Sequence, residues 1–415
     1  MEDPGGIGVG PNLIAFAIPL FFLAMGVELW VARRRGLHPY RFPDAFADMG
    51  CGILQQTGTL FLGVLILANY RFVHESYRLF DLSAKSPLVW AFTFLAVDLL
   101  YYVWHRLSHE VNFLWAVHVV HHQSEDYNLS VALRQAIFSG TTIAPFYLLL
   151  AWVGVPPLVT VSCGALNTLY QFWIHTELVG KLGLLEKFLN TPSHHRVHHA
   201  TNPQYLDRNY AGVFIVWDRL FRSFEEEREA CVYGITRPLR SFNPLWAQFA
   251  EWVELARQAR QTPRWKDKLK IWFASPAWHP PGVEVAPSPL LTPGYRKFDV
   301  PVSPALRWYV GAHFLLSSLA IFLLLLLRPS APVLPAAALL IALTLVAGSG
   351  LLEKRAWAPA LDLLRLVLLG GFGLALAWQG PWRYPVTVAA VLLLAGGWLA
   401  RRAGRGRAAV AVPNG

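Results

Sequence analysis

Apolar runs of membrane-spanning length recur along this chain, separated mostly by short polar links. A crossing helix needs about 20 mostly apolar residues. Leu13–Val31, Gly50–Asn69 and Leu88–Trp104 meet that need, the last despite Asp98. Ala136–Val155 and Pro157–Ile174 form a pair hinged at Pro156–Pro157. After a long polar stretch come Trp308–Leu327, Val333–Leu352, Ala358–Trp378 (with Asp362 and Arg365 inside it) and the short Tyr384–Ala400. The pattern predicts nine spans and an all-α, polytopic membrane fold. It divides the chain into two opening spans (1–87), a histidine-rich region (88–235), an amphipathic, Pro-rich segment (236–304), the later spans (305–402) and a basic tail (403–415).

Composition agrees with the pattern. Of 415 residues, 54% are hydrophobic and 15% charged, where soluble domains carry about 25% charged residues. The mean hydropathy is +0.37. The first apolar run follows Glu2 and Asp3 and is long enough to span, so a cleavable signal peptide is not expected. Cys51, Cys163 and Cys231 have no metal-ligand or CxxC spacing. The net charge of +10 sits beside apolar segments, which points to lipid headgroups and topology rather than nucleic acid.

Basic residues in short loops face the cytoplasm. Threading nine spans puts Arg33–Arg35, Lys354–Arg355 and the cluster from Arg401 to Arg407 on one side, with the amino terminus outside. The loop after the second span, with Arg71, Arg78 and Lys85, opposes the rule. The segment from His175 to about Pro304 falls on the cytoplasmic side.

Histidines change the picture from a membrane protein to a membrane metalloprotein. Ten of the 14 lie between His105 and His199. They read HRLSHE at 105–110, HVVHH at 118–122, a lone His175, and HRVHH at 195–199 preceded by His194. Residues three or four apart share a helix face. His105 therefore pairs with His109, His118 with His121 or His122, and His195 with His198 or His199. Asp98, Tyr101 and Tyr102 lie on the His105 face. Nine such ligands exceed the needs of one metal ion, so two are implied. All the blocks sit at the cytoplasmic ends of spans, within reach of a lipid tail. His38, His74, His279 and His313 lack such grouping and read as ordinary packed or solvated residues. Imidazole suits Zn, Cu, Fe and Ni alike.

The three blocks resemble the fatty acid hydroxylase and sterol desaturase superfamily. Four stretches are similar to its alkylglycerol monooxygenase branch: DLLYYVWHRLSHE at 98–110, WAVHVVHHQSEDYNLSVALRQ at 115–135, NTPSHHRVHHATNPQYLDRNYAGVFIVWDRLF at 190–221 and YGITRPLRSFNP at 233–244. The resemblance spans about residues 10–400 and thins after about 305. It implies a di-iron site, with His105, His109, His118, His121, His122, His195, His198 and His199 matching the superfamily ligands. His175 fits the further histidine that members supply, and His194 is expected just outside the ligand set. It implies O2-dependent hydroxylation of a lipid C–H bond, next to an ether oxygen in that branch. An external donor, tetrahydrobiopterin in that branch, supplies the electrons. No Rossmann fingerprint, haem-binding Cys motif or fused cytochrome accompanies it. One departure stands out: Arg222–Ser223 occupies a place that usually reads Gly-Thr.

Ligand histidines usually pass their outer N–H to a carboxylate, carbonyl or water. Asp98, Glu110, Asp207 and Asp218 are the expected acceptors, Asp98 foremost because an acid near a bilayer is costly. Asn128, Arg134, Asn209 and Tyr210 belong to the matching stretches as pocket residues without assigned roles. Phe249, Trp252 and Val253 share one helix face, and Trp265, Leu269, Trp272 and Phe273 another, opposite Lys266, Lys268 and Lys270. Such helices either lie in the membrane interface, capping the site or guiding lipid to it, or pack against the rest of the protein. Two other functions compete: the same di-iron chemistry on a sterol, carotenoid or fatty acyl group, and a membrane metal transporter or sensor. A transporter would place ligands near the bilayer midplane within repeats, which this chain does not show.

Overall fold

The computed structural model describes residues 13–282, 288–292, 294–327 and 333–378. These form α-helices with short 3-10 turns, and no β-strand among the described residues beyond two isolated bridges. The chain divides into two compact units: residues 1–240 with 246–297, and residues 241–245 with 298–415.

In the first unit the helices are α1 (Leu13–Arg34), α2 (Phe42–Tyr77), α3 (Pro87–Glu110), α4 (Asn112–His122), α5 (Ser139–Val153), α6 (Pro157–Trp173), α7 (Pro192–His199), α8 (Val216–Leu220), α9 (Pro244–Gln261) and α10 (Trp265–Phe273). Prolines set several starts. Pro43, Pro87, Pro157 and Pro192 all occupy the first turn, where a missing N–H costs nothing. α2 is much longer than the expected second span. Its 36 residues reach about 54 Å, well beyond a bilayer core of about 30 Å. The extra length is its first turns, which carry the buried Asp44 and Asp48 down to the histidine blocks.

Among the described residues, six helices are long and apolar enough to cross a membrane: α1, α2, α3 and the three of the second unit. The protein is a multi-pass membrane protein. α5 and α6 are shorter than the apolar runs 136–155 and 157–174 that predict them. They have 15 and 17 residues, or about 22 and 26 Å, at the short end for a crossing, and form a short hairpin. Gly154 closes it at φ 110°. A Cβ there would fall 1.9 Å from the Phe80 carbonyl oxygen, because the loop after α2 crosses the end of α5. The hairpin packs Leu150, Ala151, Val155 and Val159 against Tyr70 of α2 and Val97 of α3. The expected span Tyr384–Ala400 and the basic tail lie outside the described residues.

The second unit holds α11 (Pro304–Leu327), α12 (Val333–Leu352) and α13 (Ala358–Trp378). The two charges expected inside α13 neutralise each other: Arg365 donates to Asp362 at 2.6 Å, and Tyr309 of α11 donates to the same carboxylate at 2.9 Å.

Candidate metal centre

Three helices and one loop deliver the histidines. His105 and His109 lie on the last turns of α3, and His118, His121 and His122 on α4, which follows after a single residue. His175 lies just beyond α6, and His195, His198 and His199 form the exposed-looking but buried face of the short α7. All nine are at most 8% exposed.

They converge in two groups. His105, His109, His118, His122 and His198 form one, and His121, His175, His195 and His199 the other, each with ligand atoms within 4.8 Å of one another. The groups share helices. In α4, His118 and His122 turn to the first group and His121 to the second. In α7, His198 turns to the first and His195 and His199 to the second. Rings from the two groups touch, as His122 and His199 do at 4.4 Å between centroids.

The nitrogens that face inward are the Nε2 atoms. They approach at 2.8 Å between His105 and His118, 3.1 Å between His122 and His118, 3.2 Å between His175 and His121, 2.9 Å between His195 and His175, and 3.2 Å between His199 and His195. The outward Nδ1 atoms donate to backbone carbonyls: His105 to Tyr210 at 2.7 Å, His121 to Arg134 at 3.0 Å, His175 to Gln171 at 2.7 Å and His198 to Arg208 at 2.9 Å. A carbonyl only accepts, so the proton is on Nδ1 and each Nε2 keeps a bare lone pair. His121 and His175 therefore point lone pair at lone pair across 3.2 Å. His109 and His198 each bury an Nε2 with no hydrogen-bond partner. Only a cation between the rings satisfies such a set. Two nitrogens bound at about 2.1 Å and near right angles would stand about 3 Å apart, as these do. The nine residues fit a metal site.

Burial pushes the imidazoles of His118, His122, His175, His195, His198 and His199 well below their ordinary pKa, helped in each by a neighbouring imidazole. Burial takes His121 down to about 4. These rings are neutral at physiological pH, the form that ligates.

The expected carboxylate acceptors are placed elsewhere, and this corrects the reading of Asp98 and Glu110. Asp98 is fully buried and accepts from Asn167 Nδ2 at 2.6 Å, Val213 N at 2.8 Å, Phe214 N at 3.0 Å and Trp217 Nε1 at 2.9 Å. It clamps the loop after α7. Gly212 lies so near that a Cβ would come within 2.9 Å of Asp98 Oδ1. Asp218 accepts from Tyr210 N and Ala211 N, both at 2.8 Å, and so fixes the very peptide whose carbonyl takes His105. Glu110 is half exposed and pairs with Arg106 at 2.8 Å on its own helix. Asp207 stands 3.7 Å from His109 Nδ1, past hydrogen-bond reach, with its side chain 62% exposed. The imidazoles lean on backbone carbonyls, and the acids hold the backbone.

His194 falls in neither group. Its ring meets Phe224 at 5.3 Å, and burial lowers its pKa to about 4. Arg134 proves to be a strut: it donates to Val120 O at 2.7 Å, Gln123 Oε1 at 2.9 Å and Asp48 Oδ1 at 3.1 Å, while its own carbonyl takes His121. Asn209 ties the His194 carbonyl to that of Glu225, at 3.1 and 2.8 Å. Asn128 holds Pro39 O at 2.8 Å. No motif in the sequence marks Asp48 or Tyr127 as part of the site. Tyr127 is 2% exposed, lies against His199 at 5.3 Å and His175 at 5.9 Å, and stacks on Tyr233 at 4.6 Å. Beyond Tyr233 opens a cavity of about 380 Å³, with Glu28, Glu125, Asp126, Glu177 and Lys297 in its wall. Arg222, in place of the usual Gly, has φ 61°. Ser223 Oγ joins Asp218 at 2.6 Å and Tyr102 at 2.8 Å, a bond that the usual Thr would also make.

Residues 90–223 match the fatty acid hydroxylase family. The alkylglycerol monooxygenase of Xenopus tropicalis is 37% identical over 366 residues, which is 86% of this chain and 81% of that protein. Its Danio rerio counterpart is 35% identical over 368 residues, 86% of this chain and 82% of that one. The chain belongs to the alkylglycerol monooxygenase family. The Homo sapiens alkylglycerol monooxygenase is 44% identical over 273 residues, covering 65% of this chain and 61% of the human protein's length. No solved structure matches the chain. Membership places it among membrane oxidoreductases that act on lipids as monooxygenases, and the matched region contains every histidine of both groups.

Proposed function

We propose that the protein cleaves glycerol ether lipids by hydroxylating the alkyl carbon next to the ether oxygen. The product is a hemiacetal, which separates into a fatty aldehyde and a glycerol. Two iron ions would be held, one by His105, His109, His118, His122 and His198, the other by His121, His175, His195 and His199. Bound iron supplies the activation of O2. The chain's own part is to keep the imidazoles neutral by burial, to aim each Nε2 by fixing Nδ1–H on a carbonyl, and to exclude water. Asp98 and Asp218 hold the loop that carries one of those carbonyls, and Arg134 supplies another. Asp98, Glu110 and His194 are positioning or peripheral residues in this reading. The cavity behind Tyr127 and Tyr233 offers a small polar electron donor, a reduced pterin, a place beside the second group. The centre would face the cytoplasm, a reading supported by the basic clusters at Arg33–Arg35 and Lys354–Arg355.

The observation that carries the proposal is the pairing of two adjoining all-histidine groups at the end of a membrane-length helix. The deciding experiment supplies the purified protein with O2, tetrahydrobiopterin and an alkylglycerol, a sterol, a carotenoid or a fatty acyl lipid in parallel. Fatty aldehyde from the alkylglycerol alone supports it. Hydroxylation of one of the others, with no aldehyde, overturns it in favour of a different lipid.

A further inference from the structure

Helices α9 and α10 contribute no histidine to the two groups, and besides the apolar residues they pack inward each turns a second apolar stripe outward. Each helical residue turns about 100°, so Trp265, Leu269 and Phe273 form one stripe on α10. That stripe is 66%, 57% and 71% exposed. The opposite face carries Ile271, which is fully buried against Ala116 and Leu255. Lys266 and Lys270 border the stripe on one flank and Lys268 on the other, all exposed. The sequence places the lysines opposite the aromatic face; on the folded helix they flank it. α9 repeats the arrangement, with Trp246, Phe249 and Val253 at 41%, 40% and 52% exposure.

The position of α10 is fixed. Asn112 donates from its side chain to Ile271 O at 2.8 Å and from its backbone to Ala274 O at 2.9 Å. Asn112 comes two residues after Glu110, the end of the membrane-length α3. α10 is thereby tied to the point where α3 ends, and the adjoining Phe113 is 42% exposed as well. An outward apolar stripe flanked by lysines, at the end of a spanning helix, suits a helix lying in the bilayer interface. Lysine stems can run along apolar surface while the ammonium groups stay among the headgroups.

We propose that α10 is an interfacial anchor that binds anionic phospholipid headgroups through Lys266, Lys268 and Lys270, with Trp265, Leu269 and Phe273 set among the acyl chains. Charge selects the occupant: Arg264 and three lysines face a single acid, Asp267. Because Ile271 rests on Ala116 of α4, the anchor also fixes the depth of the histidine groups relative to the headgroups.

The test uses the full chain in lipid nanodiscs. Cys51 and Cys163 are buried, so Cys231→Ser with Leu269→Cys gives a single labelling site for an environment-sensitive fluorophore. Discs are made of phosphatidylcholine alone or with added phosphatidylglycerol, and quenching by lipid-borne nitroxide is compared with quenching by aqueous iodide. We expect nitroxide to quench and iodide to fail, with stronger nitroxide quenching when phosphatidylglycerol is present. A lysine near an anionic surface is worth roughly fivefold in partitioning. K266E/K268E/K270E should therefore cut the gain from phosphatidylglycerol at least fivefold, and the milder K266Q/K268Q/K270Q should reduce it in the same direction. Iodide quenching without nitroxide quenching overturns the anchor. Equal quenching in both lipids, unchanged by either triple variant, overturns the headgroup assignment. Neither readout depends on catalysis, so a failure of the hydroxylase proposal would show separately.

Discussion

Asp98→Asn separates a clamp from a chemical participant. The carboxylate receives four hydrogen bonds, two on each oxygen: Asn167 and Val213 on Oδ1, Phe214 and Trp217 on Oδ2. Asparagine keeps one acceptor and replaces the other with an NH2 donor. Whichever way it sits, two buried donors lose their acceptor and meet another donor. Flipping Asn167 would relieve one of them but would break the 2.7 Å bond its Oδ1 receives from Gln171. Each buried donor left unpaired costs about 1–3 kcal/mol, so the substitution should cost about 2–6 kcal/mol. That is a large share of a domain's usual 5–15 kcal/mol, roughly. Glu110→Gln is the control, because it removes one exposed pair with Arg106 on the same helix, worth about 0.3–0.5 kcal/mol. Thermal unfolding of the detergent-purified protein, read beside its metal content, measures both. Asp98→Asn should unfold well below wild type and hold less metal, while Glu110→Gln matches wild type in both. An Asp98→Asn protein with wild-type stability and metal content but no activity would refute the clamp and give Asp98 a direct role.

Elemental analysis of freshly purified protein should find about two irons per chain, one for each histidine group, and chelation should lower the unfolding temperature, since a ligand of the folded state stabilises it. His105→Ala, His121→Ala or His198→Ala should each abolish activity in a protein that still inserts, while His74→Ala and His279→Ala keep most of it; equal losses in both sets would place the active centre elsewhere. Arg222→Gly should raise stability by about 1 kcal/mol, because φ 61° is costly for a residue with a Cβ; a lower unfolding temperature would contradict this. A cysteine near Pro203 should react in intact cells only with permeant reagents, and one near Ser76 with impermeant ones; the reverse pattern would invert the topology.

The ligand set is legible in the sequence because helical spacing carries it. Its division between two groups is not. His118, His121 and His122 read as one cluster, yet α4 runs between the groups and sends His121 one way and its neighbours the other. That split depends on α7 approaching from across the fold, where no local pattern reports it. The outer partners were hidden for a different reason. Acids near the blocks are visible as letters, whereas every residue has a carbonyl, so nothing marks Tyr210, Arg134, Gln171 or Arg208 as acceptors. α5 and α6 come out shorter than the apolar runs that predict them, because hydropathy measures apolar length while Gly154 ends α5 and Pro156 precedes α6.

Keeping the acids one layer out has a chemical consequence. A carboxylate that accepted an imidazole N–H would raise the basicity of that ligand and bring negative charge toward the metal. Here Asp98 and Asp218 spend their oxygens on backbone N–H groups, and Asp48 on Arg134 and Ser130. The imidazoles are left neutral and supported by carbonyls that carry no net charge. Cations held this way would keep their positive charge largely uncompensated, in a pocket whose nine histidines are almost wholly shut from solvent. That electrostatic setting would favour taking up O2 and electrons over activating water for hydrolysis. Centres that hydrolyse usually mix carboxylates into the ligand set; neither histidine group here includes one, and Asp98 and Asp218 are spent on the loop that aims His105.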